Sequence, residues 1–108
     1  PNGYGKRMQD DKNDVVTWFA AQGWVDPKRA CIMGWSYGGY AAARGAQRDP
    51  DVWRCAIAGA GVYDMAMMNR WDANNLSTFG SKFQDTSDDP NGISSAQNTD
   101  GRWAPILI

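Results

Sequence analysis

The chain contains no histidine. Histidine is the usual proton acceptor for a serine nucleophile, and its charge changes near neutral pH. None of the 108 residues can therefore fill that role. Cysteine is scarce too, with only Cys31 and Cys55. Two thiols do not make a disulfide-dense scaffold, and without histidine they do not make a zinc site. Both lie in apolar runs, where a thiol behaves as a small buried hydrophobe; that reading is favoured, with a disulfide between them as the alternative. Neither sign of charge dominates: 11 Lys and Arg stand against 12 Asp and Glu, a net charge of −1. With no basic cluster, the chain has no electrostatic footprint for nucleic acid. No apolar run approaches a membrane span. Pro1 to Gly5 is polar and glycine-rich, unlike a secretory leader. No nucleic-acid, membrane, metal or cofactor partner is expected; of compartments, the cytoplasm is favoured.

What is present is ordinary globular composition, 43% hydrophobic and 21% charged. A helix is expected over about Lys6 to Gln22, with Met8, Val15, Trp18 and Phe19 sharing its apolar face and Asp10, Asp11, Lys12 and Asn13 on the wet side. Gly23 supplies its stop, and Asp26-Pro27 a turn. Ala30-Cys31-Ile32-Met33 is a short apolar run between Pro27 and Gly34, suited to a strand buried on both faces. A helix follows from about Tyr37 to Gln47, rich in alanine and ended by Asp49-Pro50. A second buried strand is expected over Cys55 to Ala58, broken by Gly59 and Gly61. Strand, helix and strand make a βαβ unit with parallel strands.

Beyond Val62 the pattern weakens. Met65 to Trp71 suits a short helix, and Asn74 to Asn98 reads as a long loop with one helical turn at most. That stretch holds a glycosylation sequon, Asn75-Leu76-Ser77, and an acidic segment, Asp85 to Gly92, that lacks the ligand spacing of a calcium loop. Pro105 to Ile108 starts a third buried strand. A chain of this length that stops inside a core strand is expected to be part of a larger domain, truncated at both ends.

Between the first strand and its helix lies Gly34-Trp35-Ser36-Tyr37-Gly38-Gly39, which fits the Gly-x-Ser-x-Gly nucleophile elbow. An elbow turns a strand at once into a helix while presenting one hydroxyl, so Ser36 is expected in a strained backbone conformation. Gly34 and Gly38 flank it, where a Cβ is expected to collide with a neighbouring strand or helix, and Gly39 allows further close packing. Tyr37 opens the helix, and its backbone N–H can donate to a developing oxyanion, aided by the helix dipole. The bare pattern recurs by chance in roughly one chain in thirty of this length. Its place between a buried strand and an alanine-rich helix makes it far more specific. The rival is a glycine-rich phosphate-binding turn, but the lysine of a P-loop and the G-x-G-x-x-G spacing are missing.

With its flanks, the elbow becomes more specific still. Gly3-Tyr4-Gly5, Gln9-Asp10-Asp11, Asp26-Pro27-Lys28-Arg29, the hexamer with Tyr40, Gly61-Val62-Tyr63-Asp64, Arg70-Trp71-Asp72 and Ala104 to Ile108 span essentially the whole chain. In these stretches the chain resembles the catalytic domain of the prolyl oligopeptidase family of serine peptidases, on its acylaminoacyl-peptidase and dipeptidyl-peptidase-like branch. The resemblance implies a partial α/β-hydrolase fold, with parallel strands, flanking helices and the βαβ unit around the elbow. It implies Ser36 as nucleophile, the Tyr37 N–H as an oxyanion donor, short peptides as substrates and a partner β-propeller domain in the parent chain. The triad aspartate and histidine are then expected beyond Ile108, and a second oxyanion donor, a tyrosine, before Pro1. By position, Val62, Met65, Met68 and Trp71 are candidates to line the substrate side-chain pocket, though packing alone also explains methionine at such positions. Asp64 is expected to cap or turn the chain rather than to react. Two other readings remain open: an esterase or lipase on the same elbow, and a piece with no catalysis of its own.

Overall fold

The computed structural model describes residues 3–75 and 89–108. Much of the loop expected over Asn74 to Asn98, including most of the sequon and half of the acidic segment, lies outside them.

Helix α1 spans Arg7–Ala21. It ends in a Schellman motif: Gly23 adopts φ 73°, its N–H reaches the Ala20 carbonyl, and the Trp24 N–H reaches the Phe19 carbonyl. After a single 3-10 turn at Pro27–Arg29, capped by the Asp26 side chain, strand β1 runs over Cys31–Trp35. Helix α2 covers Tyr37–Arg48, and strand β2 covers Cys55–Gly59. β1 and β2 pair in parallel with Cys31 opposite Cys55 and Trp35 opposite Gly59. The expected βαβ unit is therefore present. Helix α3 occupies Met65–Asn75, longer than the short helix expected. A 3-10 turn follows at Ser95–Gln97, and strand β3, Ile106–Leu107, pairs in parallel with β2. The sheet order is β1-β2-β3.

Helix α2 is the centre of the packing. Its alanines Ala42, Ala43 and Ala46 lie with Ile32, Ala56 and Ala58 of the sheet, Trp53 and Ala104 in one buried cluster. Small side chains let the helix axis approach the strands closely, and Gly45 admits the Trp53 ring, which a Cβ there would meet at 3.2 Å. A second cluster gathers Tyr40, Met65 and Ile93. Arg44 is also buried; it donates to the Gly5 carbonyl at 3.2 Å and bonds the Gln47 side chain, fastening the segment before α1 to α2.

Three expectations are corrected. The strands are not buried on both faces. Ile32, Ala56 and Ala58 face α2, whereas Met33, Trp35, Ile57 and Leu107 are exposed, because nothing among the described residues covers the other face. Helix α1 does not bury its apolar stripe either. Val15 and Trp18 are more than half exposed, and the helix turns Gln9 inward. The Gln9 amide donates to the Ala41 carbonyl at 3.1 Å, the Trp53 indole donates to Asn13 at 3.1 Å, and Arg48 holds Asp10 at 2.7 Å. Polar bonds, with Val16 packed against the core cluster, thus fix α1 on its neighbours, and Trp18, Phe19 and Trp24 pack on one another at its C-terminal end. Finally, Cys31 and Cys55 are not free thiols. Their Cα atoms lie 4.7 Å apart in directly opposed positions, and they form a disulfide.

Candidate active site

The elbow is built at the C-terminal end of β1, where α/β sheets place their functional groups. β1 runs to Trp35 and α2 starts at Tyr37, so Ser36 alone makes the turn. It has φ 56° and ψ −121°, a conformation that costs an L-residue on the order of 1–3 kcal/mol and persists only where the surroundings impose it. They do so through the backbone. The Ser36 N–H donates to the Gly59 carbonyl at 2.9 Å, and the Ser36 carbonyl accepts from the Tyr40 N–H at 3.1 Å. The residue is exposed and its hydroxyl caps no helical N–H, so the side chain stands outward from the turn.

The flanking glycines divide in their reasons. A Cβ on Gly34 would lie 2.2 Å from the Gly38 carbonyl oxygen, so the strand and the helix start meet backbone to backbone there. A Cβ on Gly39 would lie 2.2 Å from the Gly59 carbonyl oxygen. Gly38 departs from expectation, since a Cβ on it meets nothing within 4 Å among the described residues. Gly38 is the residue approached, and its own substituent points into open space.

Tyr37 anchors the first turn of α2. Its ring lies 5.0 Å from that of Tyr4 and 5.7 Å from that of Tyr40, and its hydroxyl contacts Met8 Sδ at 3.4 Å. Tyr40 is fully buried and donates to the Ile93 carbonyl at 2.8 Å. Val62 and Met65 join this same cluster, so the structure brings two of the four pocket candidates to the flank of Tyr37. Met65 is almost wholly buried. Met68 is half-buried, Trp71 is 60% exposed, and both lie outside the cluster. Asp64 caps α3: its carboxylate accepts the Met67 N–H at 2.8 Å and the Gln97 amide at 2.7 Å. These bonds to Met67 and then to Gln97 hold its pKa below the ordinary value of 3.8, in keeping with a capping role.

One feature escaped the sequence. β2 leaves the sheet through Gly59-Ala60-Gly61, and Ala60 adopts φ 45°. The Tyr63 hydroxyl donates to the Ala58 carbonyl at 3.0 Å and accepts the Gly61 N–H at 3.1 Å. A tyrosine just after a Gly-x-Gly break was the available signal; the bridging geometry was not readable from it. Elsewhere, an open groove of about 650 Å³ runs between α1 and the start of β1, lined by Val16, Phe19, Met33 and Trp53 among others. It includes neither Ser36 nor any pocket candidate, and its place beside an uncovered strand marks it as packing surface rather than a reactive cleft. No group of side chains suited to a metal occurs among the described residues. Nor is any helix among them long and apolar enough to cross a membrane.

The sequence model described as "Prolyl oligopeptidase family" matches residues 2–108. Dipeptidyl aminopeptidase BIII of Pseudoxanthomonas mexicana is 41% identical over 51 residues, 47% of this chain and 7% of that protein. Dipeptidyl peptidase 4 of Felis catus is 35% identical over 63 residues, 58% of this chain and 8% of that protein. This chain thus matches only a small part of the length of these relatives. Among solved structures, puromycin hydrolase superposes with a TM-score of 0.78 at 23% identity, over 98% of this chain and 17% of that one. An acylaminoacyl peptidase in complex with Z-Gly-Gly-Phe-chloromethyl ketone superposes with a TM-score of 0.74 at 19% identity, over 98% and 18%. These likenesses establish the α/β fold of the segment.

Proposed function

Because the chain belongs to the prolyl oligopeptidase family, we propose that its parent protein is a serine peptidase that cleaves short peptides through an acyl-enzyme on Ser36. The observation that carries this reading is the Ser36 backbone: φ 56° and ψ −121°, exposed, between a parallel strand and a helix N-terminus. That geometry holds an Oγ clear of the fold and beside the first N–H groups of α2.

In this mechanism the Ser36 Oγ attacks the scissile carbonyl carbon and its proton passes to a base. The carbonyl π pair moves onto oxygen, and the Tyr37 backbone N–H donates to that oxyanion at the positive end of the α2 dipole. Collapse re-forms the carbonyl and breaks the C–N bond, and the base returns its proton to the leaving amine. Water then hydrolyses the ester by the same route in reverse order. The chain has no histidine, so a histidine base comes from elsewhere in the parent, and on this reading its orienting carboxylate comes with it. We place residues 1–108 inside a larger α/β-hydrolase domain accompanied by a β-propeller. The uncovered sheet face and the 7–8% share of the relatives' length support that placement. Met68 and Trp71 offer accessible surface for a substrate side chain, and Met65 and Val62 support them from the Tyr40 cluster. The Cys31–Cys55 bridge favours maturation in an oxidising compartment over the cytoplasm.

The test uses the full-length parent, a fluorophosphonate probe, an aminoacyl arylamide and a short acyl ester. Wild type is expected to label at Ser36 and cleave the arylamide, and Ser36→Ala to lose both, with turnover down by about 10⁴-fold or more. Ester cleavage without any amide cleavage would replace the peptidase by an esterase. Labelling that persists in Ser36→Ala would remove Ser36 from the chemistry.

A further inference from the structure

We propose that Tyr63 is a positioning residue for Ser36, acting through its hydroxyl on the backbone that imposes the elbow conformation; this rests on the nucleophile reading above. Ser36 occupies a backbone region that the chain does not adopt unforced. From outside its own strand and helix, the Gly59 carbonyl reaches it, accepting its N–H at 2.9 Å. The direction of that carbonyl is therefore a determinant of where the Ser36 hydroxyl points.

Gly59 is the last residue of β2, and its carbonyl sits immediately before a turn with a built-in difficulty. Ala60 has φ 45° without glycine's freedom, a left-handed conformation that its Cβ disfavours. Glycines on either side give the segment many alternatives. The Tyr63 hydroxyl closes it. It donates to the carbonyl just before Gly59, at Ala58, and accepts from the N–H two residues after Gly59, at Gly61. One phenol oxygen therefore pins both sides of the peptide whose carbonyl holds Ser36. The same peptide is packed tightly against α2, because a Cβ on Gly39 would fall 2.2 Å from the Gly59 oxygen and 3.0 Å from the Gly61 nitrogen. A small rotation of Gly59 thus moves both the elbow and the first turn of α2. Tyr63 touches no reacting atom. Its ring packs against the alanine-rich core, a contact that phenylalanine would keep.

The experiment compares full-length wild type with Tyr63→Phe, using arylamide kinetics and the rate of fluorophosphonate labelling at Ser36. Loss of the hydroxyl is expected to lower kcat about tenfold with KM within about twofold, and to slow labelling by the same factor. A second form replaces Tyr63 by a fluorinated tyrosine whose phenol ionises near neutral pH. Its ring and shape are retained, but above its pKa it can no longer donate to Ala58. It is expected to add an alkaline decline to kcat that wild type lacks, and this decides the matter even if Tyr63→Phe is recovered misfolded. Labelling and kcat within twofold of wild type in Tyr63→Phe, a loss confined to KM, or an unchanged pH profile in the fluorinated form would each overturn the proposal. A wild type that never labels at Ser36 sinks the nucleophile reading and this inference together. A labelled wild type with an unaffected Tyr63→Phe sinks only the latter.

Discussion

Glycines that look equivalent in the elbow differ in what they exclude. Gly34 faces the Gly38 backbone at a distance no Cβ tolerates, whereas Gly38 has room for one among the described residues. Gly34→Ala in the full-length parent is therefore expected to lower stability by about 1–3 kcal/mol or more through overpacking, and to abolish labelling of Ser36. Gly38→Ala lies in the first turn of α2 and is expected to be neutral or to stabilise by up to about 1 kcal/mol. Thermal unfolding with labelling kinetics separates the two, and equal damage from both would show that the pattern is read by something other than sterics. The positions of Ser36 and its glycines were legible because the turn imposes a fixed spacing on residue types. Which glycine needs to be glycine was not, because that depends on which backbone lies opposite each missing Cβ. The Tyr63 bridge was hidden for a similar reason: a hydroxyl's partners are set by three-dimensional position alone.

At the scale of elements, the βαβ unit is held by three agents: a parallel ladder, the alanine face of α2, and a covalent tie. Cys31 and Cys55 are 24 residues apart and directly opposed in register. Closing a loop of that size restricts the unfolded chain by about 3–4 kcal/mol in the loop-entropy account. Reduction, or Cys31→Ala with Cys55→Ala, is expected to lower the thermal midpoint of the parent. Thiol titration after denaturation without reductant is expected to find these two cysteines oxidised; two reactive thiols would contradict the bridge. The elements themselves were legible where short apolar runs were bounded by proline and glycine, as at β1, β2 and the ends of α2. The pairing of the cysteines was not, because register is a property of two strands and is written in neither. Helix α1 shows the converse failure. Its apolar residues recur at helical spacing, yet Gln9, Asn13 and Asp10 make contacts alongside Val16, and Trp18 and Val15 face outward. Periodicity reports which residues share a face; it does not report which face meets the protein.

Across the whole molecule, the described residues bury one face of the sheet and leave Met33, Trp35, Ile57 and Leu107 on the other. Parallel sheets are ordinarily covered on both faces. A polypeptide of residues 1–108 alone is therefore expected to bind a hydrophobic dye and to self-associate at micromolar concentration, whereas the proposed full-length parent is expected to do neither. Light scattering of the two at matched concentration checks this, and a monomeric, dye-silent 1–108 would refute it. The fold class was legible because alternation of strand and helix fixes a parallel arrangement. The exposed face was not, since an apolar strand residue reads the same whether its cover is present or not.

The disulfide also alters the consequences of a cut. The turn between α2 and β2 carries the exposed Asp51, and it lies inside the loop that Cys31 and Cys55 close. A protease that nicks the chain there leaves Ser36 on one piece and Gly59 on the other. The two pieces stay joined, with the bond from Ser36 to Gly59 still within reach, for as long as the bridge remains oxidised. Nicking alone would leave the two pieces tied in such a protein, and mild reduction alone would lower its stability while the chain stayed continuous. Only the two together would separate Ser36 from the Gly59 carbonyl that accepts its N–H.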